Sequence, residues 1–308
     1  MGKTRIEWAD AVWNPVAGCT PVSEGCAHCY AARMATRLAG QCGYPADEPF
    51  RVTLHKDKLE EPLHWASPRR VFVVSMGDLF HPLVPREVIA DVFNTMAAWT
   101  LTCRKQGCEH DDESCWHDPG HTYLILTKRP QRMKDVINDM PNYVGERWPG
   151  DTALSISLEA GNWPLPDVWL GVSAENQARA DERIPILLSI PAAKRFVSCE
   201  PLLSPIDLTH IQQGETWTEN ALTGEVWGAF PGGHDQFDHH LDWVITGGET
   251  GPGARPMEED WARSLVRQCR AANVAFFMKQ GSQANWRDFK NFASFPEDLR
   301  VREFPDAK

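Results

Sequence analysis

Six apolar runs, each four to six residues long, recur along the chain and constrain its fold more than any other feature. They cover residues 71–76, 123–127, 168–172, 195–199, 243–246 and 274–278, and a shorter candidate at 51–54 precedes them. The stretches between them can hold helices: residues 87–100 carry apolar side chains at helical spacing, and residues 261–272 follow an acidic start. This alternation predicts repeated β-α units around a parallel sheet.

The expected fold class is therefore α/β, a partial or closed (β/α) TIM-like barrel of about six to seven parallel strands. A doubly wound open sheet gives the same local pattern and stays open as an alternative. Since 308 residues suit one barrel, we expect a single domain over 1–308. Residues 103–121 and 209–240 are polar and long for connections of about 2 to 6 residues, and we interpret both as insertions.

The bulk properties predict a cytoplasmic protein that does not contact a membrane. No apolar run approaches the roughly 20 residues of a membrane-spanning helix, and the N-terminus lacks a secretion signal. A formal charge of −11 opposes general attraction to nucleic acid, so binding a polyanion needs a local basic groove. Short basic segments at 68–70 and 128–129 can supply one or can be ordinary solvated surface.

Polar clusters follow each predicted strand, and in parallel α/β folds such clusters meet at one mouth. We expect Glu175, Glu200 and Lys279 to act there as catalytic groups or substrate contacts, although they can also form buried ion pairs across the mouth. Lys128 and Arg129 can bind a phosphate or carboxylate through charge-assisted hydrogen bonds. The alternative for any one cluster is that loops are polar in general.

Three cysteines, Cys19, Cys26 and Cys29, form a C-x6-C-x2-C motif just before a predicted helix at 31–38. Three thiolates on one loop can hold three irons of a [4Fe–4S] cluster and leave the fourth iron open. A structural zinc ion needs a fourth ligand, which His28 supplies only awkwardly as the neighbour of Cys29. Zinc in a hydrolytic or nucleic-acid-binding barrel stays as the alternative.

A set of short motifs spans most of the chain apart from the two insertions and the C-terminal tail. Besides the cysteines they are IEW at 6–8, WNP at 13–15, LTKRP at 126–130, GVSAEN at 171–176, EPLL at 200–203, GGE at 247–249, ARP at 254–256 and FMKQ at 277–280. Through these motifs the chain resembles the phage and mobile-element three-cysteine-motif proteins, a variant radical S-adenosylmethionine-like branch.

This resemblance implies a partial barrel whose cysteines hold a [4Fe–4S] cluster, with S-adenosylmethionine chelating the open iron. An electron then cleaves the cofactor to a 5′-deoxyadenosyl radical, which abstracts a substrate hydrogen. Most members of the superfamily have a C-x3-C-x2-C motif with an aromatic residue before the last cysteine. Here the first gap is six residues, and His28 takes the aromatic position.

The resemblance also assigns roles at the strand ends. Gly247 and Gly248 would let the cofactor approach the backbone, and Glu249 would bind its amino or ribose groups, although the glycines can instead form a tight turn. Further cofactor contacts are expected from Ser75 and Asp78. The expected substrate contacts are Lys128, Arg129, Asn176 and Arg255.

A second metal site is predicted in the first insertion, where Cys108 and His110 form one ligand pair and Cys115 and His117 another. Two sulfur and two imidazole ligands suit tetrahedral zinc, with Cys103 as a spare ligand. Accidental cysteines in an exposed loop, or a second iron–sulfur cluster, are the alternatives.

The leading functional hypothesis is a radical S-adenosylmethionine-like enzyme that modifies a nucleic acid or nucleotide in a phage or mobile-element context. It would need an electron donor such as a flavodoxin or ferredoxin and can require a separately encoded partner protein. The alternative is a non-catalytic metal-cluster module that recognises nucleic acid or a partner protein. Trp217 and Trp227 could supply its stacking surfaces, although tryptophans more often belong to the core.

Overall fold

The computed structural model describes residues 4, 6–101, 120–214, 216–228 and 238–305. Its strands are β1 (Ala11–Trp13), β2 (Val16–Ala17), β3 (Thr53–Leu54), β4 (Arg70–Val73), β5 (Thr122–Thr127), β6 (Val168–Ser173), β7 (Lys194–Cys199), β8 (Ile211–Gln213), β9 (Trp217–Glu219), β10 (Val226–Gly228), β11 (Trp243–Gly247) and β12 (Ala275–Gln280). Its helices are α1 (Tyr30–Arg37), α2 (Arg86–Leu101), α3 (Pro130–Arg147), α4 (Ala153–Glu159), α5 (Gln177–Leu188) and α6 (Glu259–Ala272).

Seven strands form one curled parallel sheet in the order β1-β4-β5-β6-β7-β11-β12. Every neighbouring pair is parallel, and the spatial order follows the chain order without a reversal. A doubly wound sheet would reverse its order at a switch point, so that alternative is excluded. The described strands β1 and β12 do not pair with each other, and the predicted TIM-like barrel is therefore a partial one.

The two faces of the sheet are covered differently, as strand alternation requires. In β6, Leu170 and Val172 belong to the large core that α2, α3, α5 and α6 cover. Trp169 lies on the opposite, concave face in a second apolar cluster, to which no described helix contributes. Within the described part of the chain, no helix packs against this apolar cluster.

The lower part of that concave face is closed by an aromatic floor, which we define as Trp8, Trp169, Phe196, Trp243 and Phe277. The fully buried Trp243 ring is its centre, with centroids 5.9 to 6.2 Å from those of the other four rings. A Cβ at Gly171 would lie 2.5 Å from the Phe196 ring, so glycine lets that ring lie flat against β6. Apolar side chains thus fill one half of the concave face. The other half, toward the carboxyl ends of the strands, is left for polar groups.

The sequence predictions of strands need three corrections. Strand β1 was not predicted, because three residues carry too little pattern, and residues 51–54 yield only β3, which pairs antiparallel with β2 outside the main sheet. The run 71–76 ends as a strand at Val73, since Val74 has a positive φ of 59° and Asn14 Oδ1 accepts hydrogen bonds from the next turn.

The insertions also differ from the prediction of irregular loops. Residues 209–240 contain a small antiparallel sheet in the order β10-β9-β8. Residues 102–119 lie outside the described part of the chain, and with them the predicted zinc ligands Cys108, His110, Cys115 and His117. At the end of that insertion, His121 is fully buried and accepts a hydrogen bond from the Arg69 amide. Among the helices of the described residues, none is both long and apolar enough to cross a bilayer.

The aromatic floor makes a prediction for stability. Replacing Trp243 with alanine should lower the free energy of unfolding by about 3 to 5 kcal/mol, because it leaves a cavity among four rings. Trp227→Ala is the control, since Trp227 is 39% exposed and, within the described residues, stacks on His210. It should cost no more than about 1 kcal/mol in urea unfolding. Equal losses from both variants would contradict the proposed role of the floor.

Candidate functional site

The three cysteines lie on one loop at the carboxyl edge of the sheet; we call residues 19–29 the motif loop. It follows Gly18, which forms a bridge with Gly77 after β4, and the Cys19 amide donates a hydrogen bond to the Phe50 carbonyl at 3.2 Å. Cys26 ends a short 3-10 helix, and Cys29 directly precedes α1. The motif loop thus spans from the β4 end of the sheet to the start of a helix.

All three motif cysteines are free thiols and partly exposed, which suits ligands for an iron–sulfur cluster. Burial, reinforced by the charge of Asp78 and opposed by Arg129, raises the pKa of the Cys19 thiol to about 11 in the metal-free chain. The described residues contain no group of three or more His, Cys, Asp or Glu side chains placed around one metal ion. A single zinc would need sulfurs roughly 3.8 Å apart, whereas a cluster binds each cysteine to a different iron.

Arg129 holds the first part of the motif loop. Its Nη2 donates to both the carbonyl oxygen and the Oγ1 of Thr20, each at 2.9 Å, and His81 Nε2 lies 2.9 Å from the same hydroxyl. The guanidinium is therefore engaged with the motif loop. To bind a substrate through Nη2, as predicted, Arg129 would have to give up these hydrogen bonds.

Glu175 holds the middle of the motif loop from the end of β6. The Ser23 hydroxyl donates to its Oε1, and Arg183 Nη1 donates to its Oε2 at 2.9 Å. Both Glu175 and Arg183 are buried from solvent, with 0% and 1% of their side chains exposed. Gly25 lies directly against this carboxylate, where a Cβ would collide with it. The predicted catalytic Glu175 is thus one half of a buried ion pair, the alternative raised for it from the sequence.

Glu24 is held by three side chains. Asn176 and Arg179 donate to its carboxylate, the latter at 3.1 and 3.2 Å, and Arg255 Nη2 donates to its backbone oxygen at 3.0 Å. Asn176 also caps α5 by accepting a hydrogen bond from the Arg179 amide. Two predicted substrate contacts, Asn176 and Arg255, therefore position the motif loop in this structure.

Glu249 holds the last part of the motif loop through His28, whose Nδ1 donates to its Oε2 at 2.8 Å. The same carboxylate accepts three hydrogen bonds from Arg255, through its amide, Nε and Nη2, at 2.7 to 3.0 Å. Burial by itself would raise the pKa of Glu249, but the hydrogen bonds from Arg255 and His28 outweigh it and lower the pKa to about 2. Its carboxylate is ionised and largely occupied by protein donors.

The long first gap of the cysteine motif is explained by these contacts. Three of the six residues between Cys19 and Cys26 carry them, namely Thr20, Ser23 and Glu24. The partners come from the ends of β5, β6 and β11, far away in the sequence. The sequence predicted that these strand ends converge, but it did not predict that most of their polar groups bind the motif loop.

Asp78 and Ser75 stabilise the turn after β4. Asp78 is buried and accepts hydrogen bonds from the Thr127 hydroxyl at 2.7 and 2.9 Å and from the Lys128 amide at 3.2 Å. The Ser75 hydroxyl donates to Asn14 Oδ1 at 3.2 Å. These two of the five residues predicted to bind the cofactor are thus engaged in joining β1, β4 and β5.

The remaining predicted residues lie at the ends of β7, β11 and β12. Lys279 Nζ donates to Glu200 Oε1 at 2.5 Å, with 17% and 19% of the two side chains exposed. Gly247 lies beside Glu200, and Gly248 packs against the Ser282 backbone so closely that a Cβ would collide with it. This close packing accounts for glycine at position 248.

Sequence reasoning missed Ser23, Glu24, Arg179 and Arg183 as site residues. Arg179 and Arg183 lie one helical turn apart on α5, and their spacing from Glu175 was the available signal. For Ser23 and Glu24 the signal was the unusual length of the gap between the cysteines.

The low pKa of Glu249 makes a prediction about pH. Glu249→Gln should lower the free energy of unfolding of the metal-free chain by about 1 to 3 kcal/mol at pH 7, because charge-assisted hydrogen bonds are lost. A carboxyl whose pKa is depressed on folding stabilises the protein above its unfolded pKa. The deficit should therefore shrink as the pH falls from about 4.5 to about 2.

Urea midpoints measured at several pH values check this, with Glu60→Gln at an exposed position as the control. A deficit that does not change with pH, or one that Glu60→Gln shares, would show that Glu249 does not act through its charge.

Comparisons with known proteins name no activity for the chain. No curated protein matches the chain, and no solved structure matches it. One family model, described as a protein of unknown function (DUF5131), matches residues 3–103 and 112–296. These matched residues include the whole motif loop and all seven strands of the main sheet. The chain therefore belongs to the DUF5131 family of proteins of unknown function.

Proposed function

We propose that this protein is a radical S-adenosylmethionine-like iron–sulfur enzyme that acts on a nucleic acid or nucleotide. The observation that carries the proposal is the motif loop, where three free, partly exposed thiols lie at the carboxyl edge of a partial parallel barrel. Active sites of parallel α/β barrels lie at that edge.

Cys19, Cys26 and Cys29 would hold the cluster, and the sequence resemblance supports this donor set. When bound, such a cluster supplies the electron that cleaves S-adenosylmethionine. The contribution of the chain is positioning: hydrogen bonds from Arg129, Ser23 and His28 fix the loop at its start, middle and end. A loop held before metal arrives loses little conformational entropy on binding.

Local charge supports an anionic substrate or partner in spite of the net charge of −11. Residues 127–134 contain Lys128, Arg129, Arg132 and Lys134 and no acidic residue. This stretch begins at the mouth, at the end of β5, and runs into α3. It suits phosphate groups of a nucleic acid or an acidic electron donor such as a flavodoxin or ferredoxin.

The metal content of Cys26→Ala tests the proposal. The chain is purified without oxygen and reconstituted with iron and sulfide. The unmodified protein should bind about four irons per chain, as three thiolates and one open iron require, and Cys26→Ala should lose most of them. Cys42→Ala is the matched control, because Cys42 is exposed and lies outside the motif. Zinc without iron, or equal iron in both variants, would refute the cluster.

We also propose that the Cys/His pairs of residues 108–117 bind a structural zinc ion, as their ligand types suggest. The same metal analysis on a Cys108→Ser, Cys115→Ser chain should show the loss of about one zinc with the iron retained. Unchanged zinc content would rule this site out.

A further inference from the structure

Two serines on the concave face have hydroxyls for which the described residues provide no partner. Ser173 of β6 and Ser198 of β7 are paired in register, and alternation places them on the same face as Trp169 and Phe196 of the aromatic floor. Only 3% and 2% of these residues are exposed, and the described chain provides no hydrogen-bond partner for either hydroxyl. Neither oxygen is among the fully buried side-chain atoms that lack a partner, so both keep some access to solvent. Two neighbouring hydroxyls that are open to the mouth and unused by the protein can donate hydrogen bonds to a ligand and accept them from it.

Charged groups from the carboxyl ends of β5, β7 and β12 complete this set. Glu200 follows Ser198 by two residues, and it holds the Lys279 ammonium of β12. The Lys128 side chain is 20% exposed, and its ammonium lies 3.9 Å from the nearest carboxylate oxygen, on Glu175. That distance is beyond a hydrogen bond, so Lys128 has donor capacity to spare.

These groups differ from the residues that hold the motif loop. Arg129, Glu175 and Glu249 each make hydrogen bonds that tie the motif loop or its supports to the chain. The serine pair, Lys128 and the Glu200–Lys279 pair retain unused donors or partial exposure. The mouth therefore contains one set of polar groups that positions the loop and another that is free to bind a ligand.

We propose that the serine pair, Glu200, Lys279 and Lys128 form a binding site for a ribonucleoside 5′-monophosphate unit, free or within a chain. Serine hydroxyls and a carboxylate suit the hydroxyl groups of a ribose, and ammonium groups suit a phosphate. The aromatic floor closes one end of the concave face. The ligand therefore lies beside the serine pair, between the floor and the motif loop. This inference rests on the proposed function and specifies its substrate class.

Calorimetric titration with the four ribonucleoside 5′-monophosphates, and separately with S-adenosylmethionine, tests the site. At least one monophosphate should bind the reconstituted protein. In a Ser173→Ala, Ser198→Ala chain its affinity should fall about tenfold or more, since two hydrogen bonds are lost. Ser189→Ala, at an exposed position after α5, is the control and should bind as the unmodified chain does.

Lys279→Met provides a second readout that a structural role would not give. This substitution should lower the affinity for the monophosphate more than the affinity for the matching nucleoside, because only the phosphate binds the ammonium. Absence of monophosphate binding, unchanged affinity in the serine variant, or an equal loss for S-adenosylmethionine would each overturn the proposal. The iron content of the same samples shows separately whether the cluster is present. Because the proposed nucleotide site uses no cysteine, a failure of nucleotide binding can be distinguished from a failure of the cluster.

Discussion

The buried ion pair between Glu175 and Arg183 is the interaction on which the mouth of the barrel depends. Both charges are removed from solvent, so each requires the other, and loss of one partner would leave an uncompensated charge. Arg183 anchors one carboxylate oxygen to α5, which leaves the other oxygen directed at Ser23 of the motif loop. Because Gly25 has no side chain, the loop backbone can lie directly on this carboxylate.

The polar groups at the mouth of the barrel form two sets with different roles. One set ties the motif loop to β5, β6 and β11, through Arg129, Glu175 and Glu249. The other set lies on the concave face above the aromatic floor, where the serine pair and the Glu200–Lys279 pair are partly unsatisfied or exposed. Cysteine ligands above and a polar ligand site below would bring a substrate close to the cluster, as hydrogen abstraction requires.

The fold was largely predictable because buried parallel strands give continuous apolar runs, and six of the seven main strands came from such runs. The three-residue β1 was missed, and the partial closure of the sheet was not decided by local pattern. The sequence also predicted that Glu175 and Glu249 reach one mouth. It could not predict their hydrogen bonds to Ser23 and His28, because these join residues 152 and 221 positions apart.

The most direct test of the central claim is reductive cleavage of S-adenosylmethionine. The reconstituted protein is reduced with dithionite under anaerobic conditions, and 5′-deoxyadenosine is quantified with Cys26→Ala as the control. The account predicts 5′-deoxyadenosine from the unmodified chain and none above background from the variant. No 5′-deoxyadenosine from a chain with an intact, reduced cluster would contradict an enzyme of this type and would favour a metal-cluster module that binds without catalysis.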